Sequence, residues 1–405
     1  MPWHIRMLIQ IFLFSLVVYA YIGWRLSHAI YSLFPIPPWS ARLLTFLAVL
    51  FLNSLPIVVL WHYWTGQENT LFLFENQLHW LDYLLNFPYW WGLIIAVEIL
   101  PYFLLLDTIG IHVHIIAPNF QSYWTKWQAF IKTSMVLFFM CYVGIRLYWD
   151  TYHVQITPYK VAIKNLPNAL QNLNLVLVGD IQLDRYTQDD KIFQFKNQLQ
   201  IAKANLLLFA GDLVTNGKNF IPDGIKLLCG TQASLERIAC MGDHDYWADR
   251  EKIPQGLQNC GWTFLQNRHH VIPYKGYRIL ITGVTHIYSQ RISKYQLSQL
   301  LATAPKADLK VLLVHQPADI VVETAAQYGY HLMLAGHTHG GQFIFKPFGI
   351  SLTPSRLENK FYAGHNEFHG LQVVITNGLG LTLAPLRYHA SAEITRIVLV
   401  SKSMN

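Results

Sequence analysis

Charged residues are scarce. Asp, Glu, Lys and Arg make up 13% of the 405 residues, against roughly a quarter in an ordinary soluble domain, and the mean hydropathy is +0.25. This shortage excludes a disordered chain and a protein that is soluble throughout. It is also uneven. Residues 1–150 hold 6 Lys+Arg and 6 Asp+Glu, so the net charge of +7 belongs entirely to the remainder, which holds 24 and 17. Cysteine is scarce as well. Cys141 lies in an apolar run, and Cys229, Cys240 and Cys260 lie in the charged part. No C-x-x-C spacing occurs, and three is an odd number for a disulfide framework, which argues against a disulfide scaffold and against a structural zinc site.

Apolar length is abundant. Four runs, Met7–Leu26, Arg42–Leu60, Phe87–Leu106 and Phe130–Trp149, each have about the 20 residues a helix needs to cross a bilayer. Of the 13 Trp, 11 fall in residues 1–150, crowded at the ends of these runs as at a membrane interface. Residues 1–150 are therefore expected to be a multi-pass membrane region of about four helices. Residues 151–405 are expected to form one globular domain, long enough for a full core. Three further runs come after the first, and it lacks a small-residue cleavage site, so it reads as an anchor. Asn53 with Pro56 interrupts the second run, and Glu98 with Pro101 the third. An intramembrane carboxylate is a functional candidate; Glu98 reads as protonated or paired within the bundle. Positive charges near the spans tie at four against four, with Arg6, Arg146, Lys160 and Lys164 on the side of the globular domain and Arg25, Arg42, Lys126 and Lys132 opposite. Sidedness stays open. His112 and His114 alternate in the connector between Asp107 and Gln128 and read as interfacial loop residues.

From Thr151 short apolar runs alternate with polar stretches. Leu173–Val178, Leu206–Ala210, Ile238–Met241, Arg278–Gly283, Leu309–Val314, His331–Ala335, Val373–Thr376 and Ile394–Val400 read as buried strands, and 188–204 and 290–303 as helices. The expected class is α/β with layered sheets. The residues just beyond the strand ends carry the chemistry: Gly179-Asp180-Ile181-Gln182, Gly211-Asp212, Gly242-Asp243-His244-Asp245, His315-Gln316-Pro317, and Gly336-His337-Thr338-His339-Gly340-Gly341-Gln342. Strand C-terminal ends are where α/β sheets place ligands. Asp180, Gln182, Asp212, Asp243, His315, His337 and His339 are seven candidate metal ligands, too many for one ion and enough for two sharing a carboxylate. The donor mix suits Mn²⁺, Fe, Zn²⁺ or Co²⁺. Two such ions about 3.5–4 Å apart clamp a phosphoryl group and activate water.

These motifs, in this order, resemble the calcineurin-like metallophosphoesterase superfamily, whose pattern is D-x-H, G-D, G-N-H-[DE], a lone His and G-H-x-H. The stretch Gly340-Gly341-Gln342, Pro354, Tyr362-Ala363-Gly364 and Asn377-Gly378-Leu379-Gly380 is similar to its bacterial membrane-anchored branch, some of whose members cleave UDP-diacylglucosamine in lipid A synthesis. The resemblance implies a two-sheet sandwich flanked by helices and two divalent ions, manganese first. One ion would take Asp180, Gln182, Asp212 and His339. The other would take Asp212, Asp243, His315 and His337. His244 would act on the phosphate as proton donor or charge stabiliser, oriented by Asp245. Gln182 stands where the family has His, and Asp243 where it has Asn. The D-x-Q motif, with Asp184 two residues on, is similar to that of manganese-dependent ADP-ribose/CDP-alcohol diphosphatases.

The expected function is a di-metal phosphoesterase of a bacterial inner or plasma membrane, acting on a phosphodiester or pyrophosphate in a lipid-linked substrate. The alternatives are a degenerate metal-binding scaffold or signalling protein, and a transporter with an accessory domain. Gln342–His369, rich in Phe, Gly and basic residues, reads as a solvated excursion, with a lid or lipid-facing groove as the functional alternative. The positive charge suits an anionic substrate or membrane surface. No aromatic-interleaved basic stripe favours nucleic acid. His269 and His270 read as a surface turn.

Overall fold

A computed structural model describes residues 3–67, 76–215 and 217–402. Residues 68–75, between the second and third apolar runs, and Asn216, after the second strand motif, lie outside the described residues.

The chain divides into two compact units. The first comprises Met1–Trp149 together with Phe345–Leu352 and Leu383–Tyr388; the second comprises Asp150–Ile344, Thr353–Thr382 and His389–Asn405. The first unit is built on α1 (Trp3–Leu33), α2 (Pro38–Leu52), α3 (Ser54–Trp64), α4 (Phe87–Ile116) and α5 (Gln121–Tyr152). Among the described residues three helices are long and apolar enough to cross a membrane, or four if α2 and α3 count as one span bent by 54°. The bend falls at Asn53, as the sequence suggests. Its amide donates to the Val49 carbonyl and its Oδ1 accepts from Ser15, so a polar side chain fills the gap in the helical ladder.

Three expectations for this region need correction. Helix α4 runs on through Glu98 and Pro101 without a break. His112 and His114 lie in that same helix, and two residues apart on a helix they face different ways. The local alternation was misleading because apolar residues on every side, as a bilayer allows, erase the helical period. Glu98 is not paired among the helices alone: its Oε1 accepts from the Tyr388 hydroxyl at 2.8 Å and from the Lys346 backbone N–H at 3.4 Å, both in the segments grouped with the helices.

The second unit has two six-stranded sheets. Its strands are β1 (Gln155–Ile163), β2 (Asn174–Val178), β3 (Leu206–Phe209), β4 (Glu236–Cys240), β5 (Thr263–Leu265), β6 (Arg268–Tyr274), β7 (Tyr277–Val284), β8 (Leu309–Val314), β9 (Leu332–Ala335), β10 (Gly364–Phe368), β11 (Leu371–Ile375) and β12 (Glu393–Ser401). One sheet runs β1-β12-β2-β3-β4-β5 and the other β10-β11-β9-β8-β7-β6. All eight strands read from the sequence are present. β2 to β5 are parallel neighbours, as are β7 to β9. The apolar runs of β2, β3 and β9 are buried on both faces, as parallel strands require.

Between the sheets lies a core of Leu175, Leu177, Leu208, Ile238, Ile281, Leu313 and Leu334 among others. The outer faces are covered by helices: α6 (Asp189–Ala202), α7 (Ile221–Cys229), α8 (Asp243–Asp249) and α9 (Lys252–Asn259) on the first sheet, α10 (Lys294–Ala302) and α11 (Asp319–Gln327) on the second. The helix expected at 290–303 begins where Ser293 Oγ accepts the Gln296 N–H and the Gln296 side chain reaches back, a capping box.

Two corrections fall here. Cys229 and Cys260 form a disulfide, with Cα atoms 5.6 Å apart. They end α7 and α9, which pack side by side, so their pairing is set by tertiary contact across 31 residues of sequence. His269 and His270 belong to strand β6, not a turn. His269 Nδ1 bonds Thr282 Oγ1 and His270 Nε2 bonds Glu236.

Candidate metal centre

The parallel strands β2, β3, β4, β8 and β9 end on the same side, and each hands polar residues to the turn beyond it. Asp180, Gln182, Asp212, Asp243, His315 and His339 are all buried, and His337 nearly so. Among the described residues two groups could hold a metal ion: Asp243 with His315 and His337, and Asp180 with Asp212 and His315. His315 Nε2 lies 3.3 Å from both Asp212 Oδ2 and Asp243 Oδ2, so it joins the two groups. His337 Nδ1 is 3.1 Å from Asp243 Oδ2, and His339 Nε2 is 3.7 Å from Asp180 Oδ1. Gln182 Nε2 is 3.3 Å from Asp212 Oδ2. The seven residues named from the sequence are thus brought together, and His315 is the residue that the two groups share.

The backbone holds these side chains under strain. Asp180, Gln182, Asp212, His337 and His339 all have φ between 42° and 71°, a left-handed conformation uncommon away from glycine. Such outliers cluster at functional sites. Two glycines make room for them. A Cβ on Gly242 would lie 2.2 Å from Asp212 Oδ1, and one on Gly380 would lie 2.3 Å from Gln182 Cβ. Gly380 and Leu379 also donate their N–H groups to the Asp180 carbonyl, which accounts for the Asn377–Gly380 run.

Neighbouring groups orient the donors. Ala210 O accepts from His315 Nδ1 at 2.7 Å, which leaves Nε2 facing the carboxylates. Asp243 accepts from Gln316 Nε2 at 2.8 Å and from the Tyr288 N–H at 2.6 Å. The His337 N–H donates to Asp180. Gln316 could have been found beside His315 in its strand-end run. Tyr288 could not, because the turn after β7 carries no glycine–aspartate signal.

Charge shows what the cluster needs. Burial pushes the Asp180 carboxyl up to about 7, with Asp212 adding to the effect and His315 opposing it. Burial also works against ionising Asp212 and Asp243. There the imidazoles prevail: His315 and His244 hold Asp212 down to about 2, and His315 with His337 hold Asp243 lower still. Burial opposes charge on His315 and His337 too, yet the carboxylates raise both, His337 to about 8. The site therefore gathers protons on imidazoles to offset buried carboxylates, a role divalent cations fill directly. One donor is conspicuous in this respect. Gln182 Oε1 is buried and has no hydrogen-bond partner. A buried carbonyl oxygen costs free energy when left unmatched, and a cation would match it. The donor set fits hard or borderline divalent metals.

His244 and Asp245 do not form the pair the sequence suggests. The Asp245 carboxylate accepts the backbone N–H groups of Asp212, Leu213 and Gly242, at 2.8, 2.7 and 3.1 Å. It braces the metal-site backbone. The His244 imidazole is oriented instead by the Thr215 carbonyl, which accepts from Nδ1. Asp184 likewise builds its own turn, accepting from Tyr186 N, Thr187 N and Thr215 Oγ1.

Comparison with known proteins agrees with this geometry. Residues 173–341 match the family model described as calcineurin-like phosphoesterase. An uncharacterized metallophosphoesterase of Bacillus subtilis is 25% identical over 263 residues, 64% of this chain and 90% of its own length. A protein of the same description from Aquifex aeolicus is 22% identical over 270 residues, 66% of this chain and 99% of its own. A Danio rerio protein described as a transmembrane protein with metallophosphoesterase domain is 25% identical over 256 residues, 60% of this chain but only 57% of that relative. With the apolar helices, that last likeness suggests a membrane protein. The stretch that carries the five strand-end motifs is thus similar to the calcineurin-like phosphoesterases, a family of divalent-metal enzymes.

Proposed function

We propose that the chain is a membrane-embedded, metal-dependent phosphoesterase that hydrolyses a phosphodiester or pyrophosphate bond in a lipid-linked substrate. The observation that carries this reading is the buried cluster at five strand ends, with Gln182 Oε1 unmatched in it. Asp180, Gln182, Asp212 and His339 would hold one ion, and Asp212, Asp243, His315 and His337 the other, Mn²⁺ first among the candidates. When bound, such ions supply a clamp on phosphoryl oxygens and an activated water. The protein's own share is positional. His244, with Nδ1 engaged by Thr215, offers Nε2 to a phosphate oxygen or a leaving group. A lipid-linked substrate is favoured by the apolar helices and by exposed Phe348, Ile350 and Leu352 on a segment grouped with them. A UDP-diacylglucosamine-like pyrophosphate in a bacterial membrane fits both features.

The Cys229–Cys260 bridge favours an oxidising, extracytoplasmic side for the globular part. A second reading, a metal-binding scaffold without turnover, is favoured by Asp243, whose extra negative charge opposes a phosphate. The deciding experiment assays the full chain in detergent on a soluble phosphodiester, a pyrophosphate and a lipid-linked pyrophosphate, with Mn²⁺, Fe²⁺, Zn²⁺ or Co²⁺ supplied. Metal-dependent cleavage is expected; metal binding without turnover of any substrate favours the scaffold.

A further inference from the structure

In the apolar part, side chains of three helices converge on one carboxylate. Asp107 Oδ2 accepts from the Tyr21 hydroxyl at 2.5 Å and faces Arg25 Nε at 2.6 Å. Its Oδ1 accepts from Gln128 Nε2 at 3.2 Å and pairs with Lys132 Nζ. Tyr21 and Arg25 stand on α1, Asp107 on α4, and Gln128 and Lys132 on α5, all three candidate spans. Lys132 is buried, with its ammonium 5.4 Å from the Phe103 ring centroid. The Arg25 side chain is 30% exposed, and its guanidinium lies 4.3 Å from the Trp24 ring centroid.

The charges do not balance. Two cations share one carboxylate, which leaves one positive charge over. The surrounding sequence supplies no second acid: residues 21–42 and 107–132 hold Arg25, Arg42, Lys126 and Lys132 but Asp107 alone among acidic residues. A charge left uncompensated in apolar surroundings is costly. An unmatched donor stands on the same helix face. Trp124, Gln128 and Lys132 follow one another at four-residue intervals along α5 and so share a face. The Trp124 indole N–H is buried and has no hydrogen-bond partner. Gly110, one turn past Asp107 on α4, lies opposite: a Cβ there would be 3.1 Å from Trp124 Nε1 and 3.3 Å from Gln128 Nε2. An excess cation and a spare N–H donor along one helix face both call for an anion.

Their place along the helices says which anion is at hand. Arg25 is next to last in the apolar run Met7–Leu26, Asp107 directly follows Phe87–Leu106, and Lys132 is third in Phe130–Trp149. A membrane crossed by these spans would bring its headgroup phosphates to the level of the cluster. A guanidinium matches the oxygens of a phosphate, and basic pockets between spans take anionic head groups. We propose that Arg25, Lys132 and Trp124 form a phosphate site filled by the headgroup phosphodiester of an anionic phospholipid. The one excess positive charge matches the one negative charge of a phosphodiester. The site rests on the helices crossing a membrane and is independent of the metal cluster.

The test takes the full chain, stripped of lipid in a neutral detergent, and follows by native mass spectrometry the binding of dioleoylphosphatidylglycerol, dioleoylphosphatidylcholine and inorganic phosphate. One phosphatidylglycerol is expected to bind at least about 5-fold more tightly than phosphatidylcholine. Arg25→Gln should erase that ratio. It should keep the metal content and the lipid-free melting temperature, because Lys132 and Asp107 still neutralise each other. Arg42→Gln removes an exposed charge outside the cluster and should leave the ratio as it is. Trp124→Phe, which deletes the indole N–H and no charge, should lower the ratio at least about 3-fold, and this variant decides the matter if Arg25→Gln fails to fold. Equal affinity for the two lipids in the unaltered protein, a ratio that survives Arg25→Gln, or one lost equally in Arg42→Gln would overturn the site. Inorganic phosphate that binds as tightly as the lipid, and needs Arg25 to do so, would overturn the assignment to a lipid.

Discussion

The Gln182 amide nitrogen lies 3.3 Å from Asp212 Oδ2, while the oxygen of the same amide is buried without a partner. The two residues thus sit at one end of the cluster with different obligations. Asp212 also accepts the His244 N–H at 2.8 Å and faces His315, the residue that both metal groups share, at 3.3 Å. Asp212→Asn should therefore remove more metal than Gln182→Ala, measured by elemental analysis of the purified variants. Equal losses would mean that Asp212 does not bridge.

His244 and Asp245 should separate cleanly. His244→Ala is expected to retain bound metal and lose at least about 10²-fold in rate, as a positioned proton donor does. Asp245→Ala should act on stability, because three buried N–H groups lose their acceptor, at about 1–3 kcal/mol for a buried group left unsatisfied. Its melting temperature should fall well below that of His244→Ala. A metal-free His244→Ala protein would reassign His244 as a ligand.

The bridge between Cys229 and Cys260 gives a topological expectation. Maleimide labelling of the denatured full chain, isolated from its native membrane under acid quench, should modify only Cys141 and Cys240 before reduction and all four cysteines after it. Four modified cysteines without reductant would place the globular part on a reducing side.

Much of the site was legible because its residues sit at strand ends. A run such as Leu206–Phe209 identifies itself by continuous apolar character, and Gly211-Asp212 then falls where the chain must turn. The features that were missed have no local signature. The Cys229–Cys260 pair depends on α7 and α9 packing together. The role of Asp245 depends on three backbone N–H groups, two of which belong to the turn after another strand. Strands β5 and β10 are short and mixed in character, and β6 carries two histidines that read as polar. In the apolar part the sequence showed the bend at Asn53 but could not show that α4 absorbs Pro101, since proline breaks a helix only where the freed backbone groups go unmatched.

His331 gives a pH dependence away from the metal cluster. Burial, with Lys310 nearby, holds its imidazole below the ordinary histidine value. The neutral ring accepts the Lys310 N–H on Nδ1 at 3.0 Å. A depressed histidine favours the fold while it stays neutral. Its contribution is complete above the unfolded value of about 6.5 and falls as pH drops from there towards the folded value. Thermal stability should thus decline less steeply in His331→Asn than in the unaltered protein as pH is lowered from about 7.5 to about 5. Parallel curves would show that the ring is not held neutral.

Glu98 is the most informative position in the apolar part. Its Oε1 accepts from the Tyr388 hydroxyl and the Lys346 N–H, and so ties α4 to the two later segments, 345–352 and 383–388, that group with the helices. Tyr102, one turn further along α4, meets the Phe348 ring at 4.8 Å, so the first segment is held by a ring contact as well. If these segments present a lipid-linked substrate, loosening them should impair capture and leave bond cleavage intact. Glu98→Leu removes the acceptor at a cost of about 1–3 kcal/mol, and hydrogen exchange should rise in 345–352 and 383–388. Glu98→Gln keeps a carbonyl oxygen in place and should restore most of the protection. On a soluble phosphodiester, Glu98→Leu should match the unaltered protein. On a lipid-linked substrate in bilayers its kcat/KM should fall by about 10-fold, equivalent to about 1.4 kcal/mol. A loss of equal size on both substrates would show that Glu98 supports the fold of the whole chain. No loss on the lipid-linked substrate, despite raised exchange, would remove these segments from substrate capture.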